Sequence, residues 1–415
     1  MGLRIIIVGG GIAGLAAAIA LRQYDREITI LEQSSISQEI GATISLQPNA
    51  SKIVEEQWGL ASILKQRGSM VDEAFEVYNI DGEMQIRIPL LTKDKYGAER
   101  MMYHRADLHE TLKERATSVD FPGRPATLRT SSRVASCDCT RGTVELVGGE
   151  VLSADLIVGA DGIKSMVRNY VLGEEVTARP TGLSAYRMMI STKDLEEESE
   201  FVKFINPRKG CTTMVIGPDR RLIMGPARNG TIYSIVALIP DEIMDEDSAN
   251  SSWTTEGDHR RMMTTFADFP VWAQRPLQLA KGLPLGLWQL RDLDPLQTWY
   301  RGRAILIGDA AHAMLPTQGQ GASQAIEDAE ALGAFFDHYE NIPGSSFDTV
   351  TRINEDIFRC RYDRATTIQA YSRQAAKPAT EPGDRKVNMN PAEFMDYNCS
   401  YAGAMDWQKR QVVSA

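Results

Sequence analysis

The sequence lacks three features that would each place it in a different class of protein. No apolar run approaches the roughly 18 residues of a membrane-spanning helix, so we expect no membrane span. Lys and Arg form no cluster, and the formal net charge is −10, which argues against nucleic acid and anionic membranes as partners. The five cysteines show neither a CxxC motif nor a metal-ligand spacing. We therefore expect reduced, structural cysteines, no metal site and a cytoplasmic location.

The composition is that of a globular protein with a large interior. The chain has 415 residues, of which 43% are hydrophobic and 24% charged. This length is too great for one ordinary core but short for three domains, which favours two interleaved lobes. With macromolecular partners disfavoured, the expected partner is a small molecule.

The first strong motif is "RIIIVGGGIAGLAAAIAL", which predicts a buried strand, a tight turn and a helix. Gly9, Gly11 and Gly14 satisfy GxGxxG. In this motif the first glycine allows the turn, the second lets a pyrophosphate approach, and the third lets helix and strand pack closely. The next strand, "EITILE", ends in Glu32, 18 residues after Gly14, where an acid binds ribose hydroxyls. The pattern predicts a dinucleotide site but does not separate FAD from NAD.

Two further predicted strands end in an acid. The first lies in "ADLIVGADGIKSMVR" and ends at Asp161, and the second lies in "RAILIGDAAHAM" and ends at Asp309. Open α/β sheets bind their ligands at the carboxyl ends of parallel strands. We therefore expect three strand ends to converge on one extended ligand.

Together, these motifs resemble the three fingerprints of the FAD-dependent aromatic hydroxylases, the single-component flavoprotein monooxygenases. The third fingerprint corresponds to "GDAAHAMLPTQGQGASQAIEDA". More narrowly, the chain is similar to the salicylate-hydroxylase-like branch common in fungal secondary metabolism, and the resemblance covers about residues 1 to 375. The resemblance implies an α/β fold: a doubly wound Rossmann-type FAD domain, an inserted antiparallel β-sheet substrate domain and a C-terminal helical segment. The last forty residues carry no fingerprint, and "KPATEPGDRKVNMNP" is interpreted as a loop.

The resemblance also implies roles for residues of the third fingerprint. The acid matching Asp309 binds the ribityl or ribose part of FAD. The turn from Gly319 to Ala322 begins a helix that points at the flavin, and the period of small and apolar residues after it independently predicts a helix. Pro316 is expected on the substrate side of the flavin. His312 is interpreted as a hydrogen-bonded structural histidine rather than an acid or base.

Two other segments resemble family elements less sharply. "IGATISLQPNA" is similar to the loop beside the isoalloxazine, which makes Ala42 and Thr43 flavin neighbours unless it is a plain turn. "YHRADLHETL" is similar to a helix start whose arginine reaches FAD, which makes Arg105 a cofactor residue unless it is a surface arginine capped by Asp107. The complete predicted cofactor set is Gly9, Gly11, Ile12, Ala13, Gly14, Glu32, Gln33, Ala42, Thr43, Arg105, Asp161, Asp309, Pro316, Gly319, Gly321 and Ala322.

The middle of the chain has a different texture. From about residue 179 to residue 285, runs such as "CTTMVIG" and "TIYSIVALIP" alternate with Gly, Pro and Asn, which predicts an antiparallel sheet. "SAYRMMI" resembles a family segment whose arginine contacts a phenolate or carbonyl oxygen, so Arg187 is the predicted catalytic residue. The alternative is an outward arginine on a half-exposed strand. Many relatives carry a tyrosine before the proline of a Tyr-Pro pair, where this chain has Met224 and Gly225. The sequence does not place the usual tyrosine, although Tyr186 and Tyr233 are near.

The predicted domains interleave along the chain. Residues 1–71, 99–178 and 286–345 form the FAD-binding domain, residues 72–98 and 179–285 the substrate sheet, and residues 346–415 a C-terminal helical segment and tail.

The resemblance implies a complete reaction. NADH or NADPH reduces noncovalent FAD, oxygen forms a flavin hydroperoxide, and its distal oxygen passes to an electron-rich aromatic or polycyclic ring. Only one GxGxxG is present, so the nicotinamide nucleotide is expected to bind transiently rather than in a domain of its own. The protein is expected to be a monomer or homodimer. Two alternatives stay open: an FAD-dependent dehydrogenase or reductase without oxygen insertion, and a flavin-binding interaction protein without activity.

Overall fold

The computed structural model describes residues 2–35, 42–241, 254–338, 346–376 and 387–414. In chain order, its strands are β1 Leu3–Val8, β2 Arg26–Leu31, β3 Thr43–Leu46, β4 Met70–Val71, β5 Ala74–Asn79, β6 Met84–Pro89, β7 Met101–His104, β8 Thr127–Arg129, β9 Val134–Asp138, β10 Thr143–Leu146, β11 Val151–Ser153, β12 Leu156–Gly159, β13 Arg179–Ser191, β14 Cys211–Ile216, β15 Arg221–Ala227, β16 Ile232–Pro240, β17 Thr254–Glu256, β18 Gly286–Asp292, β19 Tyr300–Arg301 and β20 Ala304–Leu306.

The helices are α1 Ile12–Ala20, α2 Pro48–Lys52, α3 Ala61–Gln66, α4 Lys93–Tyr96, α5 Arg105–Thr117, α6 Met166–Leu172, α7 Thr192–Glu196, α8 Ser199–Val202, α9 His259–Thr265, α10 Val271–Leu279, α11 Asp309–His312, α12 Gly321–His338, α13 Phe347–Ala376, α14 Pro391–Cys399 and α15 Ala404–Ser414. A π-helical turn, Ile53–Gln57, continues α2, and a 3₁₀ turn, Pro316–Gln318, precedes α12.

A six-stranded sheet forms the centre of the first lobe, in the order β19-β20-β12-β1-β2-β8. Its pairs are parallel except for the short antiparallel edge strand β19. In β1, Ile5 and Ile7 pack into one core while Ile6 and Val8 pack into the core on the opposite face. Both faces are therefore buried, which explains the unbroken β-branched run. The predicted doubly wound α/β fold class is confirmed.

An eight-stranded sheet forms the second lobe, in the order β17-β18-β13-β16-β15-β14-β5-β6. Its pairs are antiparallel except β5 with β14, because β5 enters from an earlier part of the chain. Along β13 the side chains alternate. Tyr186 and Met188 enter a core shared with α7 to α10, whereas Ala185 packs with Leu315 from the first lobe. We call the face that carries Ala185 and Arg187 the inner face.

Most of the described C-terminal region is helical, and residues 387–390 form neither helix nor strand, as expected for the loop. Of "KPATEPGDRKVNMNP", residues 377–386 lie outside the described residues, and α14 already begins at Pro391. Asn390 accepts hydrogen bonds from the backbone of Ala392 and Glu393, and the Glu393 side chain accepts one from the Asn390 N–H, which completes a capping box. In α15, the Trp407 ring lies 6.2 Å from that of Phe335 in α12. The C-terminal residues thus form two helices packed on the FAD-binding lobe.

Candidate functional site

The turn between β1 and α1 requires glycine at two positions. Gly9 adopts a φ of +108°, and a Cβ there would lie 2.3 Å from the Ala160 carbonyl oxygen. A Cβ on Gly14 would lie 2.0 Å from the Gly9 carbonyl oxygen. Gly11 is different, because a Cβ there would meet no described atom within 4 Å. The open space at Gly11 lies at the N-terminus of α1, where a pyrophosphate fits. Ile12 and Ala13 form the first turn of that helix.

Glu32 lies directly after β2 and beside this turn. Its Oε2 atom accepts a hydrogen bond of 2.8 Å from the Gly10 N–H, and its Oε1 atom accepts one of 2.7 Å from the Ser34 N–H. The carboxylate is therefore held in place next to the glycine turn while remaining partly accessible. Gln33, the next residue, is exposed.

Asp161 follows β12 and caps the helix after it. Its carboxylate accepts hydrogen bonds from Ser165 Oγ (2.5 Å), Met166 N (2.7 Å) and Val167 N (3.1 Å). Burial raises the pKa of Asp161, and these hydrogen bonds oppose the rise. Both oxygens are thus already engaged in a structural role, which sequence reasoning did not anticipate. A cofactor contact by Asp161 stays a prediction.

Asp309 follows β20 and, unlike Asp161, accepts no hydrogen bond on its carboxylate from any residue in the described ranges. Burial raises the pKa of Asp309, although the positive charges of His312, Arg105 and Arg168 oppose the rise. The side chain is nonetheless accessible to solvent. A group is both accessible and desolvated when it lines a deep cleft, where a ribityl or ribose hydroxyl could donate to it. The residues present therefore fit FAD.

The segment after Asp309 forms the predicted turn before a long helix. Pro316 is exposed, Gly319 adopts a φ of +61°, and α12 begins at Gly321. A Cβ on Gly321 would meet nothing within 4 Å, so the N-terminus of the helix borders open space. The Gln47 amide holds the turn by donating a 2.6 Å hydrogen bond to the Gln318 carbonyl. The first N–H groups of α12, including those near Ala322, are available to an electron-rich ligand.

The charge of Arg105 acts on residues of both lobes. It begins α5, and its backbone N–H donates a 2.8 Å hydrogen bond to the Ala42 carbonyl. Its charge lowers the pKa of both Asp309 and Arg187, which places it within reach of each. Asp107 does not cap it: the two Asp107 oxygens accept hydrogen bonds of 2.7 Å from Arg228.

Ala42 and Thr43 lie where β3 meets the second lobe. The Thr43 N–H donates a 3.3 Å hydrogen bond to Ser234 Oγ on the inner face of the eight-stranded sheet. In the same sheet, Gly225 pairs with Ser234. Tyr186 and Tyr233 are buried in the core on the opposite face. Neither tyrosine can therefore replace the one that relatives carry before the proline.

Arg187 is a half-buried cation without an anionic partner in the described part of the chain. Its Nε atom is buried and makes no hydrogen bond, and burial together with the nearby Arg105 lowers its pKa. Its guanidinium carbon lies 5.0 Å from the centre of the Trp288 ring, a favourable cation–π contact. Gly286, opposite Arg187 in β18, makes room for that ring, because a Cβ there would lie 2.2 Å from it.

His312 is a buried, hydrogen-bonded histidine, as predicted. Its Nε2 atom lies 2.6 Å from Asp328 Oδ2, which also accepts from the Gly308 N–H. Asp328 belongs to a buried ionic network that sequence reasoning missed. The network joins α12 to α13, α2 and the C-terminal region through Asn49, Gln320, Gln324, Glu327, Asp328, Arg361, Arg364 and Asn398.

The fold and these strand-end residues define an FAD-binding oxidoreductase. The chain belongs to the family described as FAD binding domain, whose pattern matches residues 3–341. It is 32% identical over 385 residues to hispidin-3-hydroxylase of Neonothopanus nambi, covering 89% of this chain and 87% of that protein. It is 33% identical over 343 residues to salicylate hydroxylase of Pseudomonas putida, covering 80% and 76%.

Solved structures give the same assignment. CtdE in complex with FAD and substrate 4 aligns over 100% of both chains with a TM-score of 0.81 and 25% identity. A salicylate hydroxylase substrate complex aligns over 98% of this chain and 95% of that one, with a TM-score of 0.72 and 26% identity. The resemblance inferred from the motifs is confirmed: the protein is an FAD-dependent monooxygenase of the aromatic-hydroxylase type. Among the described residues, no helix is long and apolar enough to cross a membrane.

Proposed function

We propose that the protein consumes NADH or NADPH and inserts one atom of O2 into an electron-rich aromatic or polycyclic small molecule, in fungal-type secondary metabolism. The balanced reaction is R–H + O2 + NAD(P)H + H⁺ → R–OH + H2O + NAD(P)⁺. The names of relatives such as hispidin-3-hydroxylase support this substrate class. All five cysteines are free, as in proteins of a reducing compartment, which supports a cytoplasmic location.

In this proposal the first lobe binds noncovalent FAD. The open space at Gly11 takes the pyrophosphate, Glu32 takes a ribose, and Asp309 accepts from a ribityl or ribose hydroxyl. The turn from Gly319 to Ala322 lies beside the isoalloxazine, and the N–H groups at the start of α12 stabilise negative charge there. Bound FAD supplies the activation of oxygen after its reduction by the nicotinamide nucleotide.

The observation that carries the proposal is the half-buried Arg187 cation, whose Nε atom is buried and makes no hydrogen bond. An arginine buried without a counter-ion is costly, so its place on the inner face suits an anionic substrate group. Its fork of N–H groups can hold a phenolate or carbonyl oxygen and thereby orient the ring for reaction. Trp288 keeps the guanidinium in place and adds an apolar wall that helps to exclude water.

The test is a panel of phenols and polycyclic phenols supplied with ¹⁸O2. We expect substrate-dependent nicotinamide consumption and a product heavier by one labelled oxygen. Arg187→Ala should keep its FAD and lose most of the product, with the remaining reducing equivalents released as hydrogen peroxide. Arg187→Lys should rescue only part, because a point charge lacks the two-pronged geometry. Oxidised product without label would instead indicate a dehydrogenase.

A further inference from the structure

A second arginine on the same sheet has a side chain without a partner in the described part of the chain. Arg221 begins β15 and is half-buried, and its guanidinium makes no hydrogen bond or ion pair with the residues that the structure describes. Burial lowers its pKa, and no described charge opposes the change. The preceding residue shows the contrast, because the Arg220 guanidinium donates hydrogen bonds of 2.8 Å to Asp219 and 2.9 Å to Asp268.

Strand alternation places Arg221 on the inner face. It pairs with Leu238, which in turn pairs with Ala185, and both of these residues pack with Leu315 next to Pro316. Its neighbour Leu222 belongs to the core on the opposite face. Side chains on one strand alternate between faces, so Arg221 shares the face of Arg187.

The two arginines are separated by an apolar surface. Arg221 lies two strands from β13 and is level with Ala185, two residues from Arg187. Strand spacing and rise give a Cα separation of about 12 Å. Between them lie Val236 and Ile223, which are both partly accessible.

This surface continues from the two arginines to the edge of the sheet. The row that contains Ile223 runs through Met214 and Val77 to Ile86, whose exposed fraction reaches 50% at the edge strand β6. The inner face thus offers an apolar floor that is open at one end and carries one cation near the flavin side and another farther out.

We propose that Arg221 is a specificity-determining residue that binds a carboxylate, or an anionic oxygen of equal charge, on the part of the substrate remote from the reacting ring. This inference rests on the proposed function. The ring oxygen then lies on Arg187, and the apolar body of the substrate spans Val236 and Ile223. The preferred substrate is an elongated aromatic acid rather than a neutral phenol, since a half-buried guanidinium gains most from a charged, two-oxygen partner.

The test compares acids with their methyl esters. The probes are salicylate, 4-hydroxyphenylpropionate and 4-hydroxycinnamate, each with its methyl ester. Their dissociation constants are measured from the change in the visible spectrum of oxidised FAD in the holoenzyme, and turnover from oxygen consumption. We expect the longer acids to bind at least 10-fold more tightly than their esters. In Arg221→Gln the acid-to-ester preference should fall by about 10- to 100-fold, with the affinity for esters unchanged.

Arg220→Gln is the matched control. It also removes one positive charge, but from the neighbouring residue, whose guanidinium already has carboxylate partners. It should keep the wild-type preference. If wild type and Arg221→Gln each hydroxylated the esters and the acids equally well, Arg221 would have no role in specificity, and the proposed function would remain. If no probe changed the flavin spectrum or consumed oxygen, the proposed function would fall as well. A preference lost equally in Arg220→Gln would show that only the overall charge matters, which also refutes the proposal.

Discussion

Two arginines with opposite surroundings allow a quantitative test of the site. Arg187 has no carboxylate partner in the described structure, whereas Arg361 is fully buried and donates hydrogen bonds to Glu327 and Asp328. Replacing each with methionine keeps the volume roughly constant and removes the charge. We expect the two substitutions to change stability in opposite directions.

The magnitudes follow from the contacts. An uncompensated buried cation costs several kcal/mol. The cation–π contact of Arg187 with Trp288 offsets about 0.5 to 2 kcal/mol of that cost. Arg187→Met should therefore raise the free energy of unfolding by about 1 to 3 kcal/mol. Arg361→Met leaves two buried carboxylates without their partner and should lower it by about 3 to 5 kcal/mol.

Melting temperatures of the flavin-free protein provide the measurement, because ligand binding would otherwise add to stability. An unfolding entropy of about 2 cal/mol/K per residue makes 1 kcal/mol worth about 1 °C for a chain of this length. We expect a rise of about 1 to 3 °C for Arg187→Met, together with a loss of product of about 100-fold and unchanged FAD affinity. If Arg187→Met melted as early as Arg361→Met, Arg187 would be a structural residue, and the catalytic assignment would be wrong.

Three further predictions concern the cofactor lobe. Gly14→Val should lower both the melting temperature and the flavin content, since a Cβ would meet the Gly9 carbonyl oxygen at 2.0 Å; wild-type values of both would contradict the assignment of the turn. Asp309→Ala should weaken FAD binding by about 1 to 3 kcal/mol in calorimetric titration without lowering the stability of the apoprotein. Burial alone would raise the pKa of Asp328, but His312 and Arg361 lower it to about 2. Asp328 therefore contributes about 2 kcal/mol above pH 4 that is lost as the pH falls towards 2, and denaturant titrations across that range should show a smaller loss in Asp328→Asn.

The sequence predicted the features that depend on neighbouring residues. Gly9, Gly11 and Gly14 are recognisable because the motif places all three within six positions. The strand-end position of Asp309 follows from an apolar run that ends in Gly-Asp. Parallel pairing of β1 with β2 needs only the succession of strand, helix and strand.

Features that depend on contacts between distant segments could not be predicted. The partners Glu327 and Arg361 are 34 residues apart, and no local pattern indicates the pair. The absence of a partner for Arg221 among the described residues is visible only when the whole sheet is assembled.

The start of α14 is a different case. Asn390, Pro391 and Glu393 form a helix-start signature at the end of the predicted loop, so a local pattern indicates this helix.

The docking of the C-terminal helices has a consequence for genetics. Arg364 donates hydrogen bonds to the Asn398 carbonyl and to Glu327, and Lys52 donates to the Tyr401 carbonyl, so the last helices share one polar network with α2 and α12. A premature stop codon before α14 would remove the C-terminal hydrogen-bond acceptors of Arg364 and Lys52 in the FAD-binding lobe. A screen for colourless, flavin-free colonies should therefore recover nonsense alleles that truncate the chain ahead of α14 as readily as missense alleles in the glycine turn.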